Sequence, residues 1–182
     1  ININTIIPII TFFLYVSLYL VVALTAPQSK ARRAFRWYLL SMVFWSLSAF
    51  IVIADIPWTT FWFRLMTASA LGAIVSIFHF VVKFLKKEIK WDVYVTIYGI
   101  ASMILSLFTS LVIESAQTIN GVIHYEFAPF LFILIGPSYS LILYSMAILI
   151  RDYQNSDNKI HKNRLTYLIV GIFVLIIGTV IN

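Results

Sequence analysis

The chain has 182 residues, of which 62% are hydrophobic and 11% charged, and its formal charge at pH 7 is +6. Soluble domains are roughly 45–50% apolar and about 25% charged, so this composition excludes a self-contained soluble enzyme. The basic residues lie between apolar runs, as membrane topology signals do, and this placement argues against nucleic acid as a partner.

Spanning the roughly 30 Å hydrocarbon core of a bilayer takes about 20 helical residues. Six apolar runs approach this length, and they are predicted to be helices because backbone amides in hydrocarbon must be satisfied within their own element. The predicted spans are residues 5–25, 37–54, 60–84, 93–113, 127–150 and 165–182. The sequence therefore predicts an all-α polytopic transmembrane bundle that forms one domain over residues 1–182. The last apolar run has not ended at Asn182. Six spans return the chain to the side of its N-terminus, so a seventh span is expected beyond Asn182 to deliver the chain to the cytoplasm.

Lysine and arginine are concentrated after the first, third and fifth apolar runs, with four in each place, so 12 of the 13 basic residues lie on one side. They are Lys30, Arg32, Arg33, Arg36, Lys83, Lys86, Lys87, Lys90, Arg151, Lys159, Lys162 and Arg164. Cytoplasmic loops carry an excess of basic residues. The pattern predicts a multi-pass protein of the plasma membrane with its N-terminus outside and its basic loops in the cytoplasm.

Arg64 is the one basic residue outside these clusters and falls near the outer end of the third span. A charge at membrane depth must pair or reach the interface. Asp55 lies across the short preceding turn, which predicts an ion pair between the two side chains. Two interpretations stay open: Arg64 only reaches the outer interface, or it has a structural or ligand-facing role.

Small residues recur at helical spacing on two spans. Ala68, Gly72 and Ser76 follow one another every four residues on the third span, and Gly171 and Gly178 are seven apart on the sixth. Small residues on one face let membrane helices approach closely. On the third span we favour close packing over the alternative, a binding groove, and on the sixth span the two glycines give another close-packing face.

His79 is the one histidine inside a predicted span, whereas a membrane haem usually needs two histidines on facing helices. An interhelical hydrogen bond near the cytoplasmic face is therefore expected, with proton or quinone chemistry as the weaker reading. The sequence contains no cysteine, no Walker, HExxH or GxSxG motif, and no paired intramembrane carboxylate. No catalytic residue, metal ligand or cofactor is predicted.

The loop before the fifth span carries Asn120 and Gly121, the strongest short signal for a tight hairpin turn, between strand-forming residues such as Tyr125. We predict a small extracytoplasmic β-hairpin over the outer mouth of the bundle. Within the fifth span, Gly136 and Pro137 predict a kink because proline removes one helical hydrogen bond. This kink either opens a pocket or hinge or is an ordinary feature of a membrane helix.

The whole pattern resembles the N-terminal seven-helix sensor region of bacterial and archaeal histidine kinases. The stretches that carry the resemblance are RRAFRWYLLSMVFWSLSAF, FHFVVKFL, NGVIHYEFAPF, GPSYSLILYSMAILIRDY and RLTYLIVGIFVLIIGTVIN. The resemblance implies a sensing domain without enzymatic activity of its own, joined to a cytoplasmic kinase, most often through a dimerising phosphoacceptor helix pair. The seventh helix and the signalling modules of that family are not among these residues.

On this resemblance, the partners are membrane lipid and an unidentified small-molecule or lipid-like signal, and the protein is expected to be a homodimer through its cytoplasmic region. The candidate sensing residues are Asp55, Arg64, Asn120, Gly121, Tyr125, Gly136 and Pro137. The main alternative is a membrane anchor or quinone-interacting subunit of a respiratory-type complex. A small permease is a third reading, weakened by the lack of charged or broken-helix sites in corresponding halves.

Overall fold

The computed structural model describes residues 3–25, 29–119 and 122–181, which form six helices and two strands. The elements are α1 (Ile3–Leu24), α2 (Lys30–Ile53), α3 (Thr59–Phe84), α4 (Asp92–Phe108), β1 (Ile113–Ile119), β2 (Val122–Phe127), α5 (Phe130–Asn155) and α6 (Lys159–Ile181). Each predicted apolar run falls mainly in one helix. Asn120 and Gly121, the predicted turn, lie outside the described residues.

Several helix ends differ from the prediction because side chains cap the backbone. The Ser29 hydroxyl accepts from the amide of Arg32 at 3.1 Å, so α2 begins at Lys30 rather than at residue 37. Asn158 accepts from two amides at the start of α6 in the same way. Such caps satisfy amides that lack a partner within the helix and extend the helix through its basic first turns.

The fourth helix is shorter than predicted. It ends at Phe108, and Thr109 has an extended backbone with φ −127° and ψ 161°. The apolar residues Val112 and Ile113, which were assigned to the end of the span, instead enter the hairpin and are fully buried. The predicted span over residues 93–113 is therefore corrected to a 17-residue helix followed by a turn and a strand.

The helices have the length and composition of a membrane protein. Within the described residues, four are long and apolar enough to cross a membrane: Ile6–Leu24, Lys30–Ile53, Thr59–Phe84 and Phe130–Asn155. Helix α1 packs on α2 and leaves many apolar side chains exposed, Leu14 at 65% among them. A soluble monomer rarely exposes so large an apolar surface, so this face suits lipid.

Helix α3 is the centre of the bundle, because it contacts α2, α4, α5 and β1, whereas α6 packs on α5. Two apolar clusters flank its middle. The first joins α3 to α4, α5 and α6 and includes Phe78, Val81, Val82, Val95, Leu149 and Leu165. The second joins α3 to α2, α5 and the hairpin and includes Val52, Phe63, Leu71, Ile113, Leu131 and Leu134.

The hairpin lies between α4 and α5. Strands β1 and β2 are antiparallel, with Ile113 opposite Phe127, Ile119 opposite Val122, and an irregularity between Ile113 and Ser115. The amide of Ala128 continues the pairing to the carbonyl of Val112 at 3.1 Å. The buried side chains of β1 belong to the second apolar cluster, so the hairpin is part of the core.

Candidate functional site

A groove of about 940 Å³ is lined by α2, α3 and α4. Its floor is formed by Ala68, Gly72 and Ser76, the small residues that recur every four positions on α3. Trp37 and Phe44 of α2 line one wall, and α4 lines the other with Ile100, Met103, Ile104 and Leu107. This stripe of three small residues, for which close packing was favoured, thus lines a groove of ligand size.

Gly72 is where the two walls come closest to the floor. A Cβ atom built on Gly72 would lie 2.8 Å from the Met103 sulfur and 3.2 Å from the Ser41 hydroxyl oxygen. Side chains from α2 and α4 therefore converge on α3 because this position has no side chain. The stripe combines close approach at one position with open space along the remainder of the groove.

Helices α3 and α4 meet most tightly at a glycine that the sequence prediction missed. A Cβ atom on Gly99 would lie 2.9 Å from both methyl carbons of Val75. By contrast, no described atom lies within 4 Å of a Cβ built on Gly136 or Gly171. The predicted close-packing face at Gly171 therefore has no partner among the described residues, and Gly178 lies where side-chain surroundings are not described.

One end of the groove carries a polar cluster. Asp92, at the start of α4, accepts from Lys83 Nζ at 2.8 Å and lies 2.8 Å from His79 Nδ1. The second ring nitrogen of His79 is 3.2 Å from the Thr96 hydroxyl. His79 thus makes the interhelical hydrogen bond that its position predicts. Across the ranges that the structure describes, no three His, Asp or Glu side chains are placed to hold a metal ion.

The opposite end of α3 holds the hairpin. Arg64 donates from Nη2 and Nε to the carbonyl of Ile113, at 2.9 and 3.2 Å, and from Nη2 to the carbonyl of Glu114 at 3.5 Å. One turn earlier, the Thr60 hydroxyl donates to the carbonyl of Ala116 at 3.0 Å and accepts from its amide at 3.2 Å. Two side chains of α3 therefore form hydrogen bonds with the backbone along the edge of β1 that does not pair with β2.

This arrangement replaces the predicted ion pair between Asp55 and Arg64. Within the described residues the two side chains form no ion pair. Asp55 is exposed in a left-handed conformation with φ 54° just after α2. The Arg64 guanidinium instead reaches β1, where backbone carbonyls accept from its Nε and Nη2.

Tyr125 belongs to an aromatic cluster between the hairpin and α3. Its ring stacks on Phe63 with 5.1 Å between centroids and lies 4.8 Å from the ring of Phe127. Tyr125 is 49% exposed, whereas Phe63 is buried. The cluster therefore covers a core residue and leaves the rings of Tyr125 and Phe127 partly exposed.

Pro137 lines a second, smaller cavity of about 400 Å³, together with Trp91, Tyr94 and Tyr144. Near it, the Tyr98 hydroxyl donates to the carbonyl of Leu134 at 2.7 Å and lies 2.7 Å from the Ser138 hydroxyl. Helix α5 continues through the proline, and hydroxyl groups donate hydrogen bonds to backbone carbonyls beside it. Helix α4 therefore has a cavity on its α5 side as well as the groove on its α2 side.

The predicted site residues are thus distributed over several places. Arg64 binds the backbone of β1, Tyr125 of β2 stacks on α3, and Pro137 lines the smaller cavity between α4 and α5. Sequence reasoning missed Gly99 and Asp92. Gly99 did not stand out because no recognisable packing motif surrounds it on α4. Asp92 did not stand out because it is a single acidic residue beside a basic loop.

Apolar helices packed around a central one, with a groove of ligand size between three of them, define a multi-pass membrane domain. The family described as the N-terminal 7TM region of histidine kinase matches residues 7–182. The chain belongs to this family and is the sensor part of a histidine kinase. Neither the curated proteins nor the solved structures contain a match to it.

Proposed function

We propose that this domain senses an apolar or amphipathic signal that binds in the groove between α2, α3 and α4. The observation that carries the proposal is a mostly apolar space of about 940 Å³ over the small residues of α3. Ligand sites in helical proteins are commonly apolar spaces of about 300–1,000 Å³ between helices. Family membership supports a signal-input role for such a space.

We propose the orientation that the charge pattern favours, with the N-terminus outside and the basic loops in the cytoplasm. The cluster of His79, Lys83 and Asp92 then lies near the cytoplasmic end of the groove. The hairpin lies outside, where Arg64 and Thr60 hold it on α3. Residues 1–182 act as one input domain, and the kinase output functions as a homodimer through cytoplasmic regions.

The relay proposed is a population shift between two positions of α4. This helix touches α3 tightly at Gly99 and is tied at its start by Asp92, while a cavity lies on each side of it. A ligand over Gly72 displaces Met103 and moves α4 toward the cavity at Pro137. Helix α5, which packs on α3 and α6, passes the change toward the output.

Filling the groove tests this function without knowledge of the signal. In the full-length kinase reconstituted in nanodiscs, Gly72→Leu places a side chain where ligand would lie. Allosteric coupling of typical size shifts an equilibrium about 5- to 150-fold. We expect basal autophosphorylation to change at least fivefold. Ala101→Leu, which places the same leucine side chain at an exposed position of α4 outside the groove, is the matched control.

The two variants also require a measurement of folding, because Gly72→Leu pushes against Met103. Monodispersity and the unfolding temperature of both proteins are compared before the kinase assay. Equal autophosphorylation by wild type, Gly72→Leu and Ala101→Leu, with all three folded, contradicts a sensory role for the groove.

A further inference from the structure

The groove is apolar along most of its length. On α3 its lining runs from Leu65 to Lys83, and the 18 helical steps between these two residues cover about 27 Å at 1.5 Å per step. This length approaches the roughly 30 Å thickness of the hydrocarbon core of a bilayer. An extended hydrocarbon chain therefore matches the groove in length and occupies it once Met103 moves off Gly72, whereas a compact polar molecule would leave most of the lining without a partner.

The charges in the groove are all at one end. Lys30 and Arg33, three residues apart on α2 and hence on one face, line this end together with Lys83 and Asp92. Lys83 is paired with Asp92, which also binds His79. No acidic side chain within the described ranges pairs with Lys30 or Arg33. The end of the groove thus carries two positive charges that the described chain does not neutralise.

Two further features of this end favour an anion. Helix α2 begins at Lys30, so the positive end of its backbone dipole points to the same place as the two side chains. Trp37, one turn after Arg33, lines the groove and is 61% exposed. Tryptophan prefers the boundary between hydrocarbon and head groups, which places the basic end at the level where a lipid head group lies.

We propose that the ligand is an anionic amphiphile with a single acyl chain, drawn from the cytoplasmic leaflet. Its carboxylate binds Lys30 and Arg33, and its chain lies over Gly72 between α2 and α4. Guanidinium and ammonium groups form charge-assisted hydrogen bonds with carboxylates, which are about twice as strong as neutral ones. This inference rests on the proposed function and adds the chemical class of the signal.

Photoaffinity labelling of the full-length kinase in phosphatidylcholine nanodiscs tests the head-group preference. Three probes share one long diazirine-bearing chain and differ in the head group, which is a carboxylate, an alcohol or an ammonium. We expect the carboxylate probe to label α2 and α4 with an apparent affinity about tenfold higher than the alcohol, and the ammonium probe to bind most weakly.

The variant Lys30→Gln/Arg33→Gln should lose most of this tenfold preference while it still binds the alcohol probe. The matched control is Lys86→Gln/Lys87→Gln, which removes the same charge from the same side of the membrane but outside the groove lining. It should keep the preference, because the groove lining is unchanged. A general attraction of anions to the basic surface would instead weaken equally in both double variants.

The outcomes separate this inference from the proposed function. Equal labelling by the carboxylate and alcohol probes, or an undiminished preference in Lys30→Gln/Arg33→Gln, overturns the anionic head group and leaves the groove as a sensing site. Labelling of α2 and α4 by all three probes that Gly72→Leu does not reduce overturns the groove itself. Loss of the preference in both double variants assigns it to the membrane surface and also overturns the inference.

Discussion

Replacing Arg64 with methionine should loosen the hairpin from α3. Methionine keeps an unbranched apolar stem but removes the guanidinium, which donates to the carbonyls of Ile113 and Glu114 at 2.9–3.5 Å. A hydrogen bond to a charged group contributes about 1.5–3 kcal/mol. Because Arg64 is partly exposed, we take the lower part of that range, about 1.5–2 kcal/mol.

At 1.4 kcal/mol per factor of ten, this loss raises the fraction of undocked hairpin about 10- to 30-fold. Hydrogen exchange of the backbone amides in β1 and β2 measures this fraction in the full-length protein in nanodiscs. Exchange should accelerate by the same factor, while amides in the middle of α3 should be unaffected.

The matched control is Arg164→Met, since Arg164 is an exposed arginine at the start of α6. Hairpin exchange in this variant should equal that of wild type. Equal exchange of the hairpin amides in Arg64→Met and Arg164→Met would show that the guanidinium does not hold the hairpin on α3. Equal exchange rates would be expected if Arg64 only reached the outer interface, which is the simpler of the two interpretations that the sequence leaves open.

Three further predictions concern the packing of α4. Tyr98→Phe removes the hydroxyl bonded to the α5 backbone and should cost about 1 kcal/mol of unfolding free energy, whereas Tyr94→Phe, at a 72% exposed position, should cost nothing measurable. Gly99→Ala forces a methyl against a stiff valine on α3 and should cost about 1–3 kcal/mol. Gly171→Ala, at an open position, should be neutral or stabilising, and equal effects of the two glycine variants would contradict the packing argument. Asp92→Asn breaks two partly exposed polar contacts and should cost about 1 kcal/mol of unfolding free energy. It should also abolish the salt dependence of stability that these contacts cause. An unchanged salt dependence would contradict a stabilising role for the Asp92 charge.

Membrane insertion and the positions of the helices could be predicted from the sequence because both depend on local properties. Each apolar run has to satisfy its own backbone in hydrocarbon, whatever its neighbours are. The interhelical hydrogen bond of His79 was also predictable, since a polar ring inside an apolar span needs a partner. Helix ends were less accurate, because caps such as Ser29 extend a helix beyond its apolar run.

What only the tertiary structure decided is which partner each residue has. The need of Arg64 for acceptors is evident in the sequence, yet those acceptors are carbonyls 49 and 50 residues away rather than nearby Asp55. Likewise, the stripe through Gly72 shows that something approaches α3 closely. Only the placement of α2 and α4 makes it the floor of a groove with Lys30 at one end. Spacing along one helix defines a face, but what covers that face depends on how separate helices pack.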